Sequence, residues 1–144
     1  MNWKSLRRSA CAPGMGLWLL SAAAAGAQPS RPADVRPLID EELIGVPGKE
    51  LLMLTVEYLP GGASLPHRHD SQVFVYVLEG ELTMQIAGSP AVTLRPGQTF
   101  YENPTDVHLI SANASKTMPA KILVFIVKEK NAPVSTEVAA QSAP

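Results

Sequence analysis

Three histidines carry most of the chemistry open to this sequence: His67, His69 and His108. His67 and His69 lie two residues apart, so on an extended chain both imidazoles leave the same face. Two imidazoles on one face form most of a metal site, provided a neighbouring strand delivers a further donor. His108 opens a separate apolar segment and can serve as that donor. The plainer alternative is a surface pair plus a core histidine, because His-x-His taken alone has many false positives. Asp106 stands near His108, yet no Gly-x-Ser-x-Gly elbow accompanies them, which argues against a nucleophilic triad. The chain also lacks a phosphate-binding loop and a dinucleotide fingerprint.

These histidines must be held by strands. Turn signals recur at Pro47-Gly48, Pro60-Gly61-Gly62, Glu79-Gly80, Gly88-Ser89-Pro90, Pro96-Gly97, Asn103-Pro104 and Met118-Pro119. The short apolar segments between them predict strands over Leu51–Leu59, Val73–Leu78, Leu82–Ile86, Ala91–Leu94, Thr99–Tyr101, Val107–Ser111 and Lys121–Val127. No segment combines helical length with a 3.6-residue apolar period. The expectation is an all-β sandwich or barrel. A chain of 144 residues, 46% apolar and 17% charged, suits one domain with a packed core. Its formal net charge of −1 gives no basic footprint, so nucleic acid is not expected as a partner.

The ends read differently. Lys4, Arg7 and Arg8 precede an apolar stretch, Met15–Ala25, and Ala25-Gly26-Ala27 offers small residues for cleavage. This predicts a signal peptide over residues 1–27 and a secreted or periplasmic product. The stretch is too short to span a bilayer, which needs about twenty residues, so no membrane span is expected after cleavage. Cys11, Trp3 and Trp18 would leave with the leader, removing thiolate ligands and disulfides from consideration. Residues 28–36 read as a linker, 37–128 as the domain and 129–144 as a disordered tail. Asn113-Ala114-Ser115 is a glycosylation sequon, relevant only in a eukaryotic secretory pathway.

One longer pattern gathers these residues. Gly61 is followed after five residues by His67-Arg68-His69, then by Val73 and, six residues on, by Gly80, within Tyr76-Val77-Leu78-Glu79-Gly80-Glu81. A looser second pattern surrounds His108, with Gly97, Pro104 and Asn113. Together they resemble the two motifs of the cupin superfamily over roughly Leu51 to Val127. The resemblance implies a double-stranded β-helix (jelly-roll, or cupin barrel) with one divalent ion held by His67, His69 and His108.

The family's fourth ligand, a glutamate, falls at Val73, which cannot coordinate. Gln72 and Glu102 are the candidates for a replacement, although strand parity turns Gln72 away from the histidines. Three neutral imidazoles would leave the ion its full charge, favouring zinc, iron, nickel or copper over manganese and attracting an anionic or enolate-like molecule. Quercetinase-like cupins are the nearest look-alikes, and they imply an oxygenase-like metalloenzyme acting on a small phenolic or enol-type ligand. The alternatives are a non-catalytic cupin that binds a small molecule or metal, and a metal-dependent isomerase or hydrolase. Phe74, Tyr76 and Leu78 face away from Val73, Val75 and Val77. Apolar residues on both faces fit a strand that packs into the barrel on one side and meets a homodimer partner on the other.

Overall fold

Strands account for nearly all the regular structure in a computed structural model that describes residues 33–139. The expected leader lies outside the described residues. Ten strands follow in order: β1 (Asp34–Glu42), β2 (Lys49–Tyr58), β3 (His67–Arg68), β4 (Gln72–Glu79), β5 (Leu82–Ile86), β6 (Val92–Leu94), β7 (Thr99–Glu102), β8 (His108–Asn113), β9 (Ala120–Glu129) and β10 (Thr136–Glu137). They form two five-stranded sheets, ordered β1-β2-β9-β4-β7 and β10-β3-β8-β5-β6. Every pairing is antiparallel, and the two sheets make a double-stranded β-helix, or jelly roll. No helix occurs among the described residues.

Period-two alternation builds the core. Leu52, Leu54, Val56 and Tyr58 of β2 are buried with Val73, Val75 and Val77 of β4 and Ile122, Val124 and Ile126 of β9. Leu82 and Met84 meet them from the opposite sheet. Each such side chain contributes about 1.5–3 kcal/mol on burial, and a sheet with one regularly apolar face needs that second layer. The Glu79-Gly80 turn joining β4 to β5 depends on glycine. Gly80 has φ +74°, and a Cβ there would lie 2.5 Å from the Pro119 carbonyl oxygen.

The outer face of the first sheet carries an apolar row. Ile39, Met53, Phe125, Phe74 and Tyr101 are successive register neighbours across all five strands. The Phe74 and Tyr101 ring centroids are 5.1 Å apart. The sequon asparagine has an internal task instead. Asn113 is buried, and its amide donates to the carbonyls of Tyr58, Leu59 and Met118, tying β2 to the β8–β9 connection.

Both expected domain boundaries move outward. β1 begins at Asp34, inside the segment read as linker, because its backbone pairs with β2 from Asp34 to Glu42 although its side chains are exposed. β10 lies inside the segment read as a disordered tail, where Thr136 and Glu137 pair with Arg68 and His67. The turn before it is pinned by Lys128, which is buried, paired with Glu50 and hydrogen-bonded to the Ala132 carbonyl at 2.9 Å. β3 also escaped the strand reading, since two residues cannot show a period.

Candidate metal centre

Cross-strand pairing brings the histidines together. His67 on β3 is the direct partner of His108 on β8, and antiparallel partners share a face. Their ring centroids are 5.2 Å apart, while His67 and His69 stand edge to face at 4.9 Å. Asp70 then takes a left-handed φ of +48° and turns the chain into β4. Arg68 points outward and pairs with Asp70 at 3.2 Å, which makes it a surface residue.

The carboxylate missing at Val73 arrives from the adjacent strand. Glu102, the last residue of β7, is the register partner of Val73, and both side chains face the barrel interior. Glu102 is 3% exposed; its Oε2 lies 3.2 Å from His108 Nδ1 and 3.8 Å from His69 Nε2. One donor atom each from His67, His69 and Glu102 lies within 4.8 Å of the others. His108 is not part of that three-residue group; it adjoins the group through Glu102, 3.2 Å from its Nδ1, with Phe100 stacked on its ring at 5.8 Å. The other candidate fourth ligand does not reach it. Gln72 is exposed and pairs with Val127 on the outer face, as strict strand alternation requires. Asp106 caps the Asn103–Asp106 turn by accepting from the Asn103 N–H at 2.7 Å and plays no part in a triad.

The polar groups here are arranged for a ligand. His67 Nδ1 donates to the Leu65 carbonyl at 2.7 Å, and His69 Nδ1 donates to the Val134 carbonyl at 2.6 Å. A carbonyl only accepts, so both Nε2 atoms keep their lone pairs for coordination. Burial pushes the His67 imidazole below its ordinary pKa, which keeps it neutral and able to coordinate; the hydrogen bond to Leu65 opposes this less strongly. Although Glu102 and His108 are within ion-pair distance, their orientation does not make a hydrogen bond. Glu102 Oε2 and both ring nitrogens of His108 are buried without partners. Leaving such atoms unsatisfied costs about 1–3 kcal/mol each, and a divalent cation would satisfy the Glu102 oxygen and one of the two His108 nitrogens. The donor set therefore fits a metal ion.

With Glu102 present, the charge left on a bound divalent ion is near +1, not the full +2 expected from three histidines alone. The oxygen donor also restores affinity for harder ions such as manganese. The site opens on a cavity of about 370 Å³ with apolar walls, including Leu54, Val56, Val75, Ile122 and Val124. No Lys or Arg side chain is among the described residues that line it. The carbonyl of Val134, which orients His69, left no sequence signal, because a backbone acceptor can belong to any residue type.

Similarity to known proteins agrees with this architecture. The sequence profile of the cupin domain family matches residues 54–126, just over half of the chain. The chain is a cupin. Among solved structures, DMSP lyase DddQ from Ruegeria pomeroyi DSS-3 superposes with a TM-score of 0.62 at 19% identity, covering 77% of this chain and 54% of that one. A cupin domain from Bordetella pertussis Tohama I gives 0.56 at 21% identity, covering 71% and 99%. Oxalate oxidase in complex with the substrate analogue glycolate gives 0.59 at 26% identity, covering 83% and 61%. The cupin spans only about half the length of the first structures that it matches. No curated protein sequence matches it significantly.

Proposed function

We propose that this cupin is an exported metal-dependent, oxygenase-like enzyme acting on a small phenolic or enol-type molecule. One observation carries the reading. Buried, unpartnered donor atoms of Glu102 and His108 stand beside His67 and His69 at the wall of an apolar cavity. A bound divalent ion, with zinc, iron, nickel, copper or manganese admitted by these donors, would supply Lewis-acid or redox chemistry. His67, His69 and His108 would provide neutral nitrogen donors to it, and Glu102 would set the remaining charge near +1. That charge would be balanced by a singly ionised oxygen, such as a phenol or enol can provide. A dicarboxylate would leave a net negative charge among apolar walls without a lining cation to offset it. The apolar walls also exclude water and strengthen each electrostatic contact inside. The similarity to oxalate oxidase supports an oxidative reaction, while the cavity argues for a less charged substrate.

The leader pattern supports export, and intact mass from the native host should give an N-terminus near Gln28. The apolar row on the outer face supports a homodimer. It crosses five strands, about 20 Å at the usual strand spacing, and includes no charged residue.

The decisive test pairs elemental analysis of purified protein with oxygen uptake on phenolic, enol and dicarboxylate substrates. Stoichiometric metal and oxygen consumption with a phenol or enol are expected. Metal-loaded protein that binds phenols without turnover would instead make it a binding cupin. Protein with no affinity for any divalent ion would overturn the proposal.

A further inference from the structure

A second polar cluster lines the cavity that the donor cluster opens on. The Tyr58 hydroxyl lies 2.7 Å from Ser111 Oγ and 3.1 Å from Ser64 Oγ, and all three side chains line the cavity. They come from the end of β2, the β2–β3 connection and β8. A β-bulge places this cluster on the same wall as His108. On β8, His108 pairs with Ile86 and Ser111 pairs with Met84, and the register shift between these pairs absorbs Leu109. Residues three apart on a regular strand face opposite ways, whereas the bulge turns both inward. His108 and Ser111 are accordingly 2% and 5% exposed. Because the bulge absorbs one residue, His108 and Ser111 are separated along the sheet by the two residues from Met84 to Ile86 on β5, about 7 Å at the usual rise per residue.

Proton counting shows spare capacity. Three hydroxyls carry three protons, and the two bonds among them use two. One O–H therefore remains uncommitted within the cluster, which lines the cavity. Burial pushes the Tyr58 phenol above its ordinary pKa, so it stays protonated and remains a donor near neutral pH. Satisfying the Tyr58 oxygen alone would need a single serine.

We propose that Tyr58, Ser64 and Ser111 form a second ligand subsite. It takes a carbonyl, or a similar neutral hydrogen-bond acceptor, on a small molecule whose hydroxyl end lies at the His and Glu donors. The distance between the clusters suits one aromatic ring with an oxygen at each end. The inference rests on the reading of this cavity as a site for small phenols or enols, and the experiment separates the two.

The test compares 4-hydroxyacetophenone with 4-ethylphenol, which differ by the carbonyl oxygen, by calorimetric titration into zinc-loaded protein. The carbonyl also acidifies the phenol, so the informative quantity is the change in the affinity ratio between wild type and variants. Tyr58→Phe and Ser111→Ala should each lower that ratio about three- to tenfold, as expected for one hydrogen bond. Affinity for 4-ethylphenol and for zinc should stay within about twofold of wild type. If Tyr58→Phe fails to fold, Ser111→Ala decides alone. An unchanged ratio with both probes binding would overturn the subsite and leave the phenol reading intact. Binding of 4-ethylphenol but not of 4-hydroxyacetophenone would overturn the subsite alone, and failure of both probes to bind any of the proteins would overturn both readings.

Discussion

Replacing Glu102 by Gln should move metal-free stability and metal affinity in opposite directions. In the metal-free protein, the carboxylate is buried beside His108 with Oε2 unpartnered. Glutamine keeps the volume, removes the buried charge and supplies an N–H that can donate to the imidazole. Relief of one unsatisfied buried group is worth about 1–3 kcal/mol. At about 4 °C per kcal/mol for a domain of this size, the metal-free melting temperature should rise by roughly 4–12 °C. Metal binding should weaken by at least about 100-fold, since even loss of an outer partner costs ten- to hundredfold. At a metal concentration 1,000 times the wild-type Kd, stabilisation by metal should drop from about 4.1 to about 1.4 kcal/mol. Differential scanning calorimetry with chelator and with zinc, together with competition titration, reads both effects. A variant that melts lower without metal and binds zinc as wild type does would refute the placement of Glu102 in the site.

Other expectations follow from the same geometry. His67→Ala, His69→Ala and His108→Ala should each reduce zinc affinity at least about 100-fold in competition titrations, and full affinity in His108→Ala would confine the ligands to the other three residues. The lowered His67 pKa means that the unfolded chain takes up the proton first. Metal-free stability should therefore hold above about pH 6.5 and fall as pH drops from there toward the lower folded value, with a shallower fall in His67→Gln melting curves. Ending the chain at Ala132 removes the Val134 carbonyl from His69 and deletes β10. Zinc affinity should fall about ten- to hundredfold while the far-ultraviolet circular dichroism keeps its β signature; unchanged affinity would assign the tail no part in positioning His69.

The sequence by itself determined the strands whose apolar runs are long enough to read between turn signals. β2, β4 and β9 are long apolar runs bounded by turn signals, so their existence is legible. Residues 73–78 and 122–127, however, are apolar at every position, and only the structure shows which face of their period-two alternation is buried. The same rule put His67 and His69 on one face and turned Gln72 outward. It failed for β3 and β10, which are two residues each and exist because neighbouring chains pair with them. It failed again on β8, where parity sets His108 against Ser111 and only the bulge reconciles them.

The linear reading could name Glu102 as a candidate carboxylate but could not place it. A motif fixes spacing along one strand, so Val73 looked like a lost ligand and Glu102 like a residue beside a turn. Tertiary structure alone decided that the two are register partners facing one cavity, with the charge supplied by β7 instead of β4. Local sequence sets which face a side chain takes, but antiparallel register sets which side chains meet on that face. Register is determined by the whole sheet, so the ligand set could be completed only in three dimensions.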